Sequence, residues 1–295
     1  MRVQAFVLPV RRRLGPSGAL AAASAGLLFG AALLTAGSAR AEPASATYEI
    51  YFGGFHVLTA TAEWEQGPEG YRIAGEAETQ GMLGWMHPWK GETESRGLLA
   101  AGEVIPRLYE TRGTSDEGEK LVRLSYDPEG DLVDSLVQPQ QDDEERHPLP
   151  ANAGDGTLDP LSVVAGLSEL LRNGGRCEAS FPVFDGRKRY DVFVSDAGEK
   201  VLEPTSYSIF AGTARGCRLD YKLLGGHRVE RSKYAETARE RIVWVARPQE
   251  GAPLLPVRLE IETAYGTVMG HLTGFEEDTQ VARRSGVQTE DKLAQ

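Results

Sequence analysis

The chain is poor in the residues that usually advertise a chemistry. Its 295 residues hold two cysteines, five histidines and four methionines, and no Cys-x-x-Cys, His-Glu-x-x-His or Gly-x-Ser-x-Gly pattern. His56, His87, His147, His227 and His271 stand singly, so zinc-ligand spacing and the metalloprotease helix are both missing. Asp155 and Asp159 flank a glycine in a spacing that matches no calcium loop, and Asp159 is accounted for as a helix cap. No metal and no cofactor is expected. Basic residues are in deficit: 32 Lys and Arg face 43 Asp and Glu, a net charge of −11. That balance repels phosphate backbones and disfavours nucleic acid as a partner. Past residue 41 no apolar run approaches the ~20 residues that a membrane-crossing helix needs, so no transmembrane anchoring is expected there.

What is present begins with an export pattern. Arg2 and Arg11 to Arg13 precede an apolar stretch from Ala19 to Leu34, and Ala39-Arg40-Ala41 supplies the small-x-small site before Glu42. Residues 1–41 read as a bacterial secretory signal, cleaved after Ala41, and the mature chain as periplasmic. No cysteine follows the apolar stretch to take a lipid. Loss of five arginines and no acid with this segment moves the net charge from −11 to −16. In an oxidising compartment an even cysteine count normally means pairing, so Cys177 and Cys217 are expected to form a structural disulfide.

From Thr47 to Phe275 the apolar period is two. Leu58, Ala60, Ala62 and Trp64 alternate with Thr59, Thr61 and Glu63, and Val257, Leu259 and Ile261 with Arg258, Glu260 and Glu262. Turn signals recur at Gly53-Gly54, Gly67 to Gly70, Asp127 to Gly130, Asp185-Gly186, Asp196 to Gly198, Gly225-Gly226 and Tyr265-Gly266. One segment is helical: Asp159 as N-cap, Pro160 in the first turn, a stripe of Val163, Val164, Leu167, Leu170 and Leu171, and Gly174 after the end. Gln138 to Glu145 reads as a polar surface loop. The fold expected is all-β and mainly antiparallel: a curved or spiral sheet, or open barrel, of about a dozen or more strands wrapped around one amphipathic α-helix. Residues 42–276 form a single β domain in this reading, and 277–295 a loosely ordered tail.

A set of ordered signatures then resembles a known family. Tyr48-Glu49-Ile50-Tyr51 with Gly53-Gly54, Ala60-Thr61-Ala62, Gly81-Met82-Leu83 near Trp85, Ser95-Arg96-Gly97, Pro106, Asp159-Pro160-Leu161-Ser162, Val183-Phe184-Asp185-Gly186-Arg187 and Pro256-Val257 are similar to the proteobacterial, periplasmic domain of unknown function 3108. The resemblance spans nearly all of residues 46–275 and implies a curved antiparallel sheet; it brings no catalytic residues.

Two stretches stand out as candidate sites. Met82, Leu83, Trp85, Met86 and Trp89 crowd into a segment bounded by Gly81 and Gly91 and broken by Pro88, which reads as a loop. The commoner fate of such a loop is to plug a core; the alternative is an exposed patch, or a lid over a ligand. Arg187, Lys188 and Arg189 form a basic turn on an acidic chain, a candidate anion contact whose plainer reading is a solvated hairpin shoulder. Ala60, Ala62, Gly75 and Ala77 are small residues on an inward face, where they leave room for a ligand. The function expected is therefore a non-catalytic envelope protein that binds a lipid or other amphiphile. The rivals are a scaffolding protein with a filled core that binds an envelope protein partner, and an envelope hydrolase.

Overall fold

The computed structural model describes residues 43–67, 70–100, 102–140, 145–229 and 240–277. The expected signal, the Pro68-Glu69 tip, residues 141–144 of the acidic 138–145 stretch and the tail from 278 lie outside them. The strands are β1 (Ala44–Phe52), β2 (Phe55–Gly67), β3 (Gly70–Thr79), β4 (Trp89–Ala100), β5 (Glu103–Ser115), β6 (Gly118–Tyr126), β7 (Leu132–Gln138), β8 (Ala179–Phe184), β9 (Arg189–Leu202), β10 (Gly212–Gly225), β11 (Glu240–Ala246), β12 (Leu255–Thr263) and β13 (Gly266–Glu277). Among the described residues two helices accompany them, α1 (Gly81–Met86) and α2 (Pro160–Arg172). All thirteen strands join one antiparallel sheet in the order β7-β6-β5-β4-β3-β2-β1-β13-β12-β11-β10-β9-β8. The first and last strands of the chain thus meet in mid-sheet, where Ala44 pairs with Glu277, so the residue expected to open the tail is the end of a strand. The sheet is not closed, since β7 and β8 end it without pairing to each other.

Alternation does what the sequence leads one to expect. On one face Trp64, Ile73, Ser95, Tyr109 and Leu124 follow one another across β2 to β6. The opposite face carries a charge ladder, in which Arg72 meets Glu63, Glu65 and Glu94, and Arg123 meets Glu110. Half-exposed pairs of this kind contribute little each, but they keep that face wet and fix which side turns inward. One turn signal misleads. Asp196-Ala197-Gly198 lies inside β9, where pairing jumps from Cys217↔Asp196 to Arg215↔Glu199. Gly198 has φ +78°, so this glycine serves a β-bulge, which needs the same backbone freedom as a turn.

The helix α2 has both ends as its caps predict. Asp159 Oδ1 accepts from the N–H groups of Leu161 and Ser162 at 2.9 Å each, and Asn173 and Gly174 close the other end on Glu169 and Leu171 carbonyls. No residue from Pro160 to Leu171 is fully exposed. Ala165, Leu161 and Val164 pack with Tyr71, Ile73, Trp64 and Val104 of the first half. Leu167 and Leu171 pack with Val194, Val245 and the Cys177–Cys217 disulfide of the second. Gly166 sits between Val104 and Phe181, whose nearest atoms lie 3.1 and 3.2 Å from where a β-carbon would be. Contacts on both sides explain why a glycine is tolerated mid-helix. The disulfide ties the segment before β8 to the middle of β10, with Cα atoms 5.3 Å apart, and both cysteines are fully buried.

What fixes the helix on the sheet is polar. Asp159 is completely buried, and its Oδ2 accepts from Ser95 Oγ of β4 at 3.1 Å and from Ser162 Oγ. Tyr71 of β3 shares a 2.6 Å hydrogen bond with Ser162 Oγ. Burial pushes the Asp159 carboxyl above its ordinary range, against the hydrogen bonds that pull it down. Asp159→Ala should cost about 2–4 kcal/mol, a lost cap plus stranded hydroxyls. Asp159→Asn keeps an acceptor for both N–H groups and should cost less at neutral pH. Because the folded carboxyl binds its proton before the unfolded one does, wild type should gain stability relative to Asp159→Asn as pH falls toward 4, and lose that gain as pH rises through the folded value. Denaturant melts from pH 4 to 8 check this; a pH-independent difference, or one of opposite sign, would contradict it.

Candidate functional site

Above the Asp159 layer the inward face changes character. Ala62, Gly75, Thr93 and Thr111 form one cross-strand row over β2 to β5, and Ala60, Ala77, Gly91 and Gly113 the next. Bulky side chains below them pack on α2, whereas Ala60, Ala62, Gly75 and Ala77 are only half-buried. The indole of Trp89 lies flat across the outer row. A β-carbon at Gly91 would overlap its ring, and one at Gly113 would stand 3.2 Å from its Nε1. Trp89 is 39% exposed. The two glycines are therefore a floor on which an aromatic ring rests.

The apolar stretch before Trp89 is not a core plug. Its first six residues form α1, none of them buried, with Trp85 83% and Met82 68% exposed. It is also not a loop: Gly84 and His87 N–H groups bond to Gln80 and Leu83 carbonyls, and Gln80 N–H bonds to Val57 O at 2.9 Å. Gly84 lets the turn press on β3, since a β-carbon there would sit 2.6 Å from Thr79 O. Thr79 Oγ1 in turn takes the Trp89 N–H at 2.9 Å, which fixes the start of β4.

Beside the small-residue rows opens a cleft of about 590 Å³, in the size range of small-molecule sites. Its walls are Tyr109 and Thr111 of β5, Tyr190 of β9, and Tyr221 and Leu223 of β10; Arg146, Arg187, Lys188, His227 and Arg228 line it from the connections. Those connections are held by backbone pairing. His147 N–H bonds to His227 O and Gly226 N–H to His147 O, both at 2.9 Å, and the two imidazoles stack at 4.2 Å. Arg146 Nη1 donates to Gly226 O at 3.0 Å. Arg187 Nη2 donates to Pro139 O at 2.8 Å, joining the β8–β9 turn to the end of β7. Asp185, the one acid lining the cleft among the described residues, accepts the N–H groups of Arg187 and Lys188 on Oδ1, an Asx-type turn. Arg241 lies 4.6 Å over the Tyr221 ring. Burial raises Tyr109 to about 12, helped by the nearby Asp159 and Asp185, and pushes Tyr190 up as well. Both phenols stay protonated at ordinary pH and can donate hydrogen bonds.

Of the sequence candidates, Arg187 and Lys188 line this cleft, and Arg189 does not. Its guanidinium turns to Asp191 Oδ1 at 2.7 Å and Tyr190 O at 2.6 Å, because a strand residue next to Tyr190 must point to the opposite face. Sequence reading missed Arg146, Arg228 and the three tyrosines, which reach the cleft from separate strands and connections. Among the described residues no three His, Cys, Asp or Glu side chains converge as a metal site, and no helix is long and apolar enough to cross a membrane.

A family model described as "Protein of unknown function (DUF3108)" matches residues 47–273. The chain belongs to this family. The DUF3108 match takes in the strand pairing, α2, the small-residue rows and the cleft together. No curated protein matches the chain. Among solved structures, a beta-barrel-like protein of domain of unknown function DUF1849 from Brucella abortus is similar, at 12% identity and a TM-score of 0.47, over 81% of this chain and 99% of that one.

The Trp89 floor generates a sharp expectation. Gly91→Ala should lift the indole off the sheet, shifting its N–H resonance and raising its quenching by acrylamide. Melting temperature should fall only a few degrees, since the ring is already partly wet. An unmoved Trp89 resonance would contradict the packing described.

Proposed function

We propose that the protein is a non-catalytic binding protein for an anionic amphiphile of the cell envelope. The observation that carries this reading is the union of two surfaces: a cleft with Arg146, Arg187, Lys188 and Arg228 at its edge, opening beside two rows of alanine, glycine and threonine. In the proposed complex the acidic head meets guanidinium and ammonium groups and the Tyr109 and Tyr190 hydroxyls, while the apolar part lies along the small-residue rows. Charge-assisted hydrogen bonds at one pole and displaced water at the other are what an amphiphile requires. In this reading the sheet curls about α2, which fills the lower half and leaves the upper half for ligand, and Trp89 closes over it. A periplasmic location agrees with the disulfide and with the leader expected in residues 1–41.

Binding of palmitate, palmitoyl lysophosphatidate and hexadecanol, each below its micellar concentration, tests the proposal by tryptophan fluorescence. The two acids should bind and the alcohol should bind at least about tenfold more weakly. Arg187→Ala with Lys188→Ala should weaken acid binding by a similar factor, leave the alcohol unchanged and keep the β spectrum in circular dichroism. Equal binding of acid and alcohol, or none of either, would reject it.

A further inference from the structure

The end of the sheet that carries α1 presents an apolar surface that the cleft does not use. Because every pair of strands is antiparallel, the β1–β2, β12–β13 and β8–β9 turns, α1 and the end of β7 all lie at that end. From it project Phe55, 69% exposed, with Tyr265 and the α1 side chains Met82, Trp85 and Met86, all exposed. We propose that this end docks on a phospholipid bilayer, with α1 and the β1–β2 and β12–β13 hairpin tips on one side of it entering the headgroup region. The proposal goes beyond the amphiphile reading and does not depend on it.

Three features select a bilayer over a folded partner. The side chains form a knob, with α1 wholly unburied; a bilayer takes up such a knob without a matching socket. The sequence Gly81-Met82-Leu83-Gly84-Trp85-Met86 contains no charge, so its transfer strips no ion of water; Trp is suited to the interfacial zone and Met adds adaptable apolar surface. Its backbone turn is already closed by the Gly84 and His87 hydrogen bonds, which lowers the cost of leaving water. Charge agrees in part: Arg187 and Lys188 share this end and favour anionic headgroups, while exposed Asp116 and Glu117 on the β5–β6 turn oppose them. Affinity should therefore come mainly from apolar insertion and change little with salt.

Co-sedimentation with vesicles of phosphatidylethanolamine and phosphatidylglycerol at 3:1 tests this, alongside quenching of tryptophan by brominated lipid. The full protein should sediment with vesicles and its emission should be quenched. Trp85→Ala with Met86→Ala removes exposed side chains only, so folding should be kept while partitioning falls about tenfold or more. Arg187→Ala with Lys188→Ala should retain most vesicle binding, which separates this surface from the cleft. A wild-type protein that stays in the supernatant, a Trp85/Met86 variant that binds as wild type does, or a dimer dissolved by that variant without vesicle binding would overturn the proposal.

Discussion

Asp159 places a carboxylate where no water reaches it and surrounds it with donors. Two backbone N–H groups and two serine hydroxyls converge on it, and Tyr71 completes the set through Ser162. A buried acid is costly unless its lone pairs are satisfied, so this arrangement works in one register of α2 against β3 and β4 and in no neighbouring one. The hydrophobic packing of Leu161, Val164, Leu167 and Leu171 supplies most of the attraction but is non-directional. The polar knot decides where along the sheet the helix sits, and hence which layer of the inward face is filled and which is left to small side chains.

The division has a chemical counterpart. Acidic and basic residues alternate on the outward face of β2 to β6 in short-range pairs, while the cleft gathers cationic side chains from connections otherwise far apart in sequence. In the proposed binding role, the basic groups at the cleft select ligands by charge while the acidic chain as a whole repels polyanions at long range. Trp89, resting on Gly91 and Gly113, is an aromatic surface that can move without disturbing a packed core.

Much of the framework was legible in the sequence because it is local. Asp159-Pro160 and Asn173-Gly174 marked the helix through capping alone, and period-two alternation marked the strands. Sequence could not pair Asp159 with Ser95 and Tyr71, since that depends on register between elements distant along the chain. The small-residue face was half visible: Ala60, Ala62, Gly75 and Ala77 declare themselves by alternation, but Gly91, Thr93, Thr111 and Gly113 gain meaning only as their cross-strand neighbours. Two misreadings have physical causes. Glycine in Asp196-Ala197-Gly198 serves a bulge as readily as a turn, and Gly81, Gly84 and Pro88 hid a helical turn whose glycine permits close approach to Thr79. Composition also misjudged burial of the Met-Trp stretch, because burial is decided by whether another element arrives to cover it, and among the described residues none covers Trp85.

The central claim is that the half of the inward face above the Asp159 knot holds an amphiphile. Native mass spectrometry of protein isolated gently from the cells that express it reads this directly. The account predicts a population carrying an added mass of lipid size that collisional activation removes as an anion. A single species at the mass of the bare polypeptide, unchanged after incubation with envelope lipid extract, would contradict it.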